Sequence, residues 1–241
     1  MSKNKIIRSF SCLQDLVNLY IEYGQEGMNR ELTIMSLALS SNQFSATEKA
    51  EIYLMGGHQW YLNLYPSEKD LIIKALAEEQ FWTLHPSKFG NNFEKLHKYI
   101  SERILKHHQC KRVGALTLYD LCKRLSGILH ILPEDYIYQH AGSHEGIKKL
   151  LSVERFTTKP VLIKTVPKCL QPLGALYVED FLCVMKDALA CPNLVGEKVF
   201  VIDNTPRCHI PHINEELKLK LLDFQSKNLS QNAYVITCGN K

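Results

Sequence analysis

The chain has no apolar run near the ~20 residues that a membrane-spanning helix requires, so no membrane partner is expected. Its start, Met1-Ser2-Lys3-Asn4-Lys5-Ile6-Ile7-Arg8, carries neither the apolar core nor the small-residue cleavage site of a secretory signal. A cytoplasmic protein is the simplest expectation. Close cysteine pairs are also missing. The 8 cysteines run from Cys12 to Cys238 without regular spacing, in a chain long enough to bury its own core, which argues for free thiols over a disulfide scaffold. Cys122 and Cys183, set among apolar neighbours, read as small buried hydrophobes. There is no internal repeat and no low-complexity tract. The glycines of Met55-Gly56-Gly57-His58-Gln59-Trp60 are followed by no phosphate-loop lysine, and no cofactor is expected.

What is present is the composition of a globular protein. With 241 residues, 45% apolar and 22% charged, the chain fits neither a disordered nor a fibrous class. A net charge of +4 permits an anionic partner without demanding one, so only the clustering of charge can be informative. One domain over 1–241 is expected, with possible subdomains at 1–90 (N-terminal helices), 91–165 (a helix-hairpin-helix-like core) and 166–241 (a C-terminal α+β segment).

The fold class read from periodicity is mainly α, a compact helical domain with a helix-hairpin-helix-like element and a small C-terminal β element. A helix is predicted over 13–23, interrupted by Gly24 and Gly27, with a second near 34–39. Ser45-Ala46-Thr47-Glu48 matches the capping box, and a helix should run from it toward Met55. Pro66 marks another helix start, carried to about Leu84. His85 to Asn92 is rich in turn formers. Phe93, Leu96, Tyr99, Ile100 and Ile104 make an amphipathic helix ending in Lys106-His107-His108, and a second long helix spans 117–132. Further helices are expected at 147–151, 177–189 and 215–224. The two best strands are 198–202 and 233–237, which could pair; 161–163 is a loop or a short edge strand between prolines.

Chemistry concentrates between Phe93 and Leu150. A glycine at a turn lets backbone amides approach a phosphate, and Gly114 is placed for this, with Lys111 and Arg112 before it and Lys123 and Arg124 in the next helix as phosphate contacts. Around Val113-Gly114-Ala115-Leu116-Thr117-Leu118-Tyr119-Asp120 the chain resembles the hairpin of helix-hairpin-helix proteins over about thirty residues. That resemblance implies non-specific binding of DNA; Arg112 stands where the family's first hairpin glycine would be, and glycosylase activity is not carried over. The blocks Gly114 to Asp120, Tyr136 to Gly142 and Glu179 to Asp187 also resemble a group of bacterial proteins that share them and have no assigned reaction, which implies kinship and a shared site.

The 138–144 loop offers a second chemistry. Ser143 is placed to cap a helix whose free amides could hold an anion beside His140 and Gly142, and His140 could exchange a proton near neutral pH. An enzyme acting on a phosphate-bearing substrate would use His140 as acid or base, oriented by Asp120 or Asp135. Glu179, Asp180, Lys186 and Asp187 read as a charged helix face. Cys208-His209-Ile210-Pro211-His212, with Cys191 upstream, lacks the two close ligand pairs of a zinc site, and no metal is expected. Three functions follow from these readings: non-specific nucleic-acid binding at the hairpin, with DNA or RNA as partner; an enzyme at the 138–144 loop; or an interaction subunit of a larger bacterial assembly, with other proteins as partners.

Overall fold

A computed structural model of the chain describes residues 4–10, 12–55, 66–110, 113–151, 159–189, 196–203, 213–228 and 235–239. The expected class holds: the protein is mainly helical with a small antiparallel β element. The chain divides into two compact units. The first comprises Met1–Arg30, Pro133–Pro206 and Asn232–Lys241, and the second Glu31–Leu132 and Arg207–Gln231. Each is built from separated stretches of chain, so the expected subdivision at 90 and 165 does not follow these units.

In the first unit α1 (Leu13–Leu19) passes through a π-helical segment (Tyr20–Gly24) into α2 (Gln25–Ser40), whose remainder belongs to the second unit. The predicted break at Gly24 and Gly27 is absent. A Cβ at Gly24 would stand 2.5 Å from Cδ2 of Tyr20, so glycine lets the Tyr20 ring lie along the helix and does not end it. The extra residue in a π turn changes the helix phase there, a feature often found at functional sites.

Helices α7 (Ala141–Leu151) and α8 (Ala175–Val184) pack closely through Gly142 and Gly146, one helical turn apart. A Cβ at Gly142 would strike the Cys183 sulfur, and one at Gly146 the Leu182 carbonyl oxygen. Small residues at this spacing let two helix backbones approach. Around them Leu16, Val17, Tyr20, Ile147, Leu170, Val178, Phe181, Leu182 and Met185 form the core of the unit. The two predicted strands do pair: β4 (Gly196–Asp203) and β5 (Val235–Gly239) are antiparallel, with Ile202 opposite Ile236. The sequence reading missed β1 (Asn4–Phe10), which completes the sheet in the order β1-β4-β5, and β2 (Tyr136–Ile137), which pairs with β3 (Val161–Leu162).

The second unit holds α3 (Ala46–Met55), α4 (Pro66–Glu79), α5 (Phe93–Glu102), α6 (Ala115–Leu129) and α9 (Glu215–Asn228). The capping box at α3 forms in both directions: Ser45 N donates to Glu48 Oε2 at 2.7 Å and Glu48 N to Ser45 Oγ at 3.3 Å. Helix α4 ends earlier than predicted, at Glu79, because Gln80 turns left-handed (φ 45°) into a 3-10 turn over Phe81–Thr83. Asn92 Oδ1 accepts from Lys95 N at 2.8 Å and starts α5, which runs on as a π-helical segment (Arg103–His107). Asn214 caps α9 in the same way, from Leu217 N at 2.8 Å. Helix α6 is the axis of the unit. All ten residues from Thr117 to Ser126 are buried, with an apolar side formed by Leu118, Leu121, Cys122 and Leu125 and a polar side that includes Asp120, Lys123 and Arg124.

Candidate functional site

The residues between α5 and α6 take positions that revise the hairpin reading. Lys111 and Arg112 lie outside the described residues. Gly114 is the residue before α6, with φ −79° and ψ 169°, and a Cβ there would meet nothing within 4 Å. It serves neither a left-handed turn nor a close approach; among the described residues of the connection, the left-handed one is Gln109 (φ 55°).

Lys123 and Arg124 were expected to face a phosphate backbone. They are turned inward, exposed by 1% and 0%. Lys123 Nζ lies 3.3 Å and Arg124 Nη2 3.8 Å from the buried Asp120 carboxylate, and Arg124 Nε 3.5 Å from Glu31. Arg124 Nη1 donates to the carbonyls of Tyr53 and Leu54 at 2.8 and 2.9 Å, closing the C-terminal end of α3. Asp120, offered as a partner for His140, therefore belongs to this cluster in the second unit. Burial raises the Cys122 thiol well above its ordinary pKa, helped by the Asp120 charge, and it raises Cys110 as well. Neither is a ready thiolate. Cys12, Cys110, Cys122, Cys169 and Cys183 form no disulfide, as expected, among the described residues.

The outer face of α5 is the exposed cationic surface next to this connection. Phe93, Leu96, Ile100 and Ile104 are buried, while Lys95, Lys98 and Lys106 are exposed on the opposite side. Glu102 interrupts the stripe and pairs with Lys106 at 3.6 Å. Lys88 extends it, its ammonium standing 3.8 Å from the centroid of the Tyr99 ring.

In the first unit, His140 immediately precedes α7, which begins six residues earlier than the helix predicted at 147–151. Ser143 is not the cap. It sits in the first turn, buried, where its Oγ accepts from His140 N at 3.2 Å. His140 is itself buried, and its Nε2 lies 2.7 Å from Oε1 of Glu179, which is 2% exposed. A carboxylate already occupies the space by the imidazole, and Gly142 is spent on packing against Cys183. The expected anion seat at His140, Gly142 and Ser143 is thus replaced by an internal histidine–carboxylate contact. Glu179 is not part of a solvated face. Asp135, the other proposed orienting group, is exposed at the start of β2, where its carbonyl accepts from Ile163 N at 2.8 Å.

Beside Glu179, Asp180 Oδ2 accepts from the Tyr20 hydroxyl at 2.6 Å. Burial, then the Asp180 charge, pushes the Tyr20 phenol well above its ordinary pKa. Lys149 joins α7 to the end of α8, donating to Glu145 Oε1 at 2.7 Å and the Lys186 carbonyl at 3.1 Å. An open groove of about 650 Å³ lies in the same unit between the Gln14 to Gln25 stretch and the segment from Lys168 to Leu173, with Val17, Ile21 and Leu173 among its apolar lining.

The Cys208 to His212 segment and the Gly56-Gly57 pair lie outside the described residues. Among the described residues no helix is long and apolar enough to cross a membrane. No protein-family model, curated protein or solved structure matches the chain.

Proposed function

We propose that the protein binds nucleic acid through its sugar-phosphate backbone, without sequence readout, using the outer face of α5 and the connection that follows it. The observation that carries this reading is the exposure of Lys95, Lys98 and Lys106 on one side of a helix whose other side is buried. Lys111 and Arg112 follow within one short connection in the sequence. Lysine is a mobile point charge with no acceptor, suited to phosphate and unable to discriminate bases by paired donor and acceptor groups. Lys123 and Arg124 take no part, because they are buried with Asp120.

Binding driven by these five cations releases counterions, so log K against log salt should fall with a slope of about −4.5 on duplex DNA if all five engage. The test is fluorescence anisotropy with duplex and single-stranded DNA and RNA of arbitrary sequence, across a salt series. The variant Lys95→Glu, Lys98→Glu, Lys106→Glu, altered only at exposed positions, should bind about tenfold or more weakly with a shallower slope. Equal affinity of the variant and the parent, or no binding by either at low salt, overturns the reading.

A further inference from the structure

The π-helical end of α5 brings together a set of side chains unrelated to phosphate binding. Residues adjacent in sequence do not face one another on a regular helix. Here His107 ends the π segment and His108 adopts φ −90° and ψ −2°, just before the left-handed Gln109. Their rings meet edge to face with centroids 4.8 Å apart. Glu79, the last residue of α4, lies against them: a ligand atom from each of Glu79, His107 and His108 falls within 4.8 Å of the other two. His108 Nε2 is 2.7 Å from Glu79 Oε1, and its Nδ1 is 3.7 Å from Glu78 Oε2.

We propose that Glu79, His107 and His108 form a binding site for a divalent transition metal of zinc type, with two imidazole nitrogens and one carboxylate oxygen as ligands and water completing a tetrahedron. The donor set selects the metal. Imidazole suits zinc and its borderline neighbours, whereas magnesium and calcium favour oxygen ligands throughout. Arg103 supplies the supporting shell, its Nε donating to both Glu79 oxygens at 2.8 and 2.9 Å and fixing the carboxylate plane. Its charge does not forbid a dication. Glu78 and Glu79 together carry two negative charges against the single positive charge of Arg103, which leaves the neutral-imidazole site net negative. The metal takes the place of the hydrogen between His108 Nε2 and Glu79, and the neutral imidazole then carries its hydrogen on Nδ1, which faces Glu78 Oε2 at 3.7 Å. The proposal stands apart from nucleic-acid binding, and neither fails with the other.

The test is equilibrium dialysis of the full chain against Zn²⁺, with Mg²⁺ in parallel, and a Co²⁺ absorption spectrum to report the ligand type. One zinc per chain in the micromolar range is expected, at least about tenfold weaker in His107→Ala and in His108→Ala. His107 is exposed, so its substitution leaves the fold intact, which circular dichroism verifies. The combined variant Cys208→Ser, His209→Ala, His212→Ala should bind as tightly as the parent, and the cobalt spectrum should lack a thiolate charge-transfer band. Absence of zinc binding, an unchanged affinity in His107→Ala, loss of binding in the Cys208 variant or a thiolate band would each overturn the proposal.

Discussion

The Arg124 guanidinium reaches the carbonyl oxygen of Tyr53 at 2.8 Å from a fully buried position, while the Tyr53 hydroxyl donates back to the carbonyl of Leu121, one turn before Arg124 on α6, at 2.7 Å. Two helices are thus tied by reciprocal bonds from side chain to backbone, with Asp120 and Glu31 facing the charges of Lys123 and Arg124. Removing one member of a buried charged network leaves the other uncompensated, at a cost of about 3–5 kcal/mol. Arg124→Met should therefore destabilise the second unit by that order in urea denaturation. A loss below about 1 kcal/mol would mean that the cluster is solvated in solution.

Glycines in this chain differ in what they permit, and alanine distinguishes them. Gly146→Ala places a methyl group on the Leu182 carbonyl and should cost about 1–3 kcal/mol by forcing α7 away from α8. Gly114→Ala meets open space at an ordinary φ, and as a change at the N-cap of α6 it should cost only about 1 kcal/mol or less. It should also leave nucleic-acid affinity unaltered. A large loss of binding in Gly114→Ala would restore the backbone cradle that the φ of −79° argues against.

The capping box of α3 gives a pH signature. Burial alone would raise the Glu48 pKa; hydrogen bonds from Lys220, at 2.7 Å, and from Ser45 outweigh it and hold the carboxyl below its ordinary value. A carboxyl depressed in the folded state adds stability that is fully present above the unfolded pKa of about 4.5 and is lost as pH falls through the folded value. The stability difference between the parent and Glu48→Gln should be about 1 kcal/mol or less at neutral pH and should close as the pH falls below about 4.5. Denaturation at a series of pH values checks this, and a gap that persists at low pH contradicts the assignment.

Local signals in the sequence were legible where one residue satisfies one backbone group. Ser45 with Glu48 marked the start of α3, and Pro66 that of α4, because capping depends on neighbours within a turn. The pairing of β4 with β5 was visible in two β-branched runs. Strand β1 was missed, since Lys5, Arg8 and Ser9 break up its apolar positions and its partner lies nearly two hundred residues away. The π segments at Tyr20–Gly24 and Arg103–His107 leave no mark in a 3.6-residue periodicity, so Gly24 read as a stop. The candidate contacts at Lys123 and Arg124 were misjudged by residue type alone. Leu118, Tyr119, Leu121, Cys122, Leu125 and Leu129 fall on one side of α6, so Lys123 and Arg124 on the other side read as solvated, and only their partners in the fold, Asp120 and the carbonyls at the end of α3, explain their burial.

The same logic separates two roles for His140. If it acted as an acid or base on a bound substrate, His140→Ala would abolish turnover and leave the melting temperature in place. Its Nε2 instead lies 2.7 Å from a carboxylate exposed by only 2%. Truncation removes the imidazole from Glu179 and opens a space at the head of α7, so His140→Ala should lower stability by about 2 kcal/mol or more, measured by thermal or urea denaturation. Converting the carboxylate as well, in His140→Ala with Glu179→Leu, replaces the pair by apolar volume and should recover a large part of that loss, because the desolvated charge disappears with its partner. Recovery in the double variant identifies the pair as a structural tie between α7 and α8. An early-melting single variant with no recovery in the double would locate the contribution of His140 in packing, and an unchanged melting temperature in the single variant would return His140 to the catalytic reading.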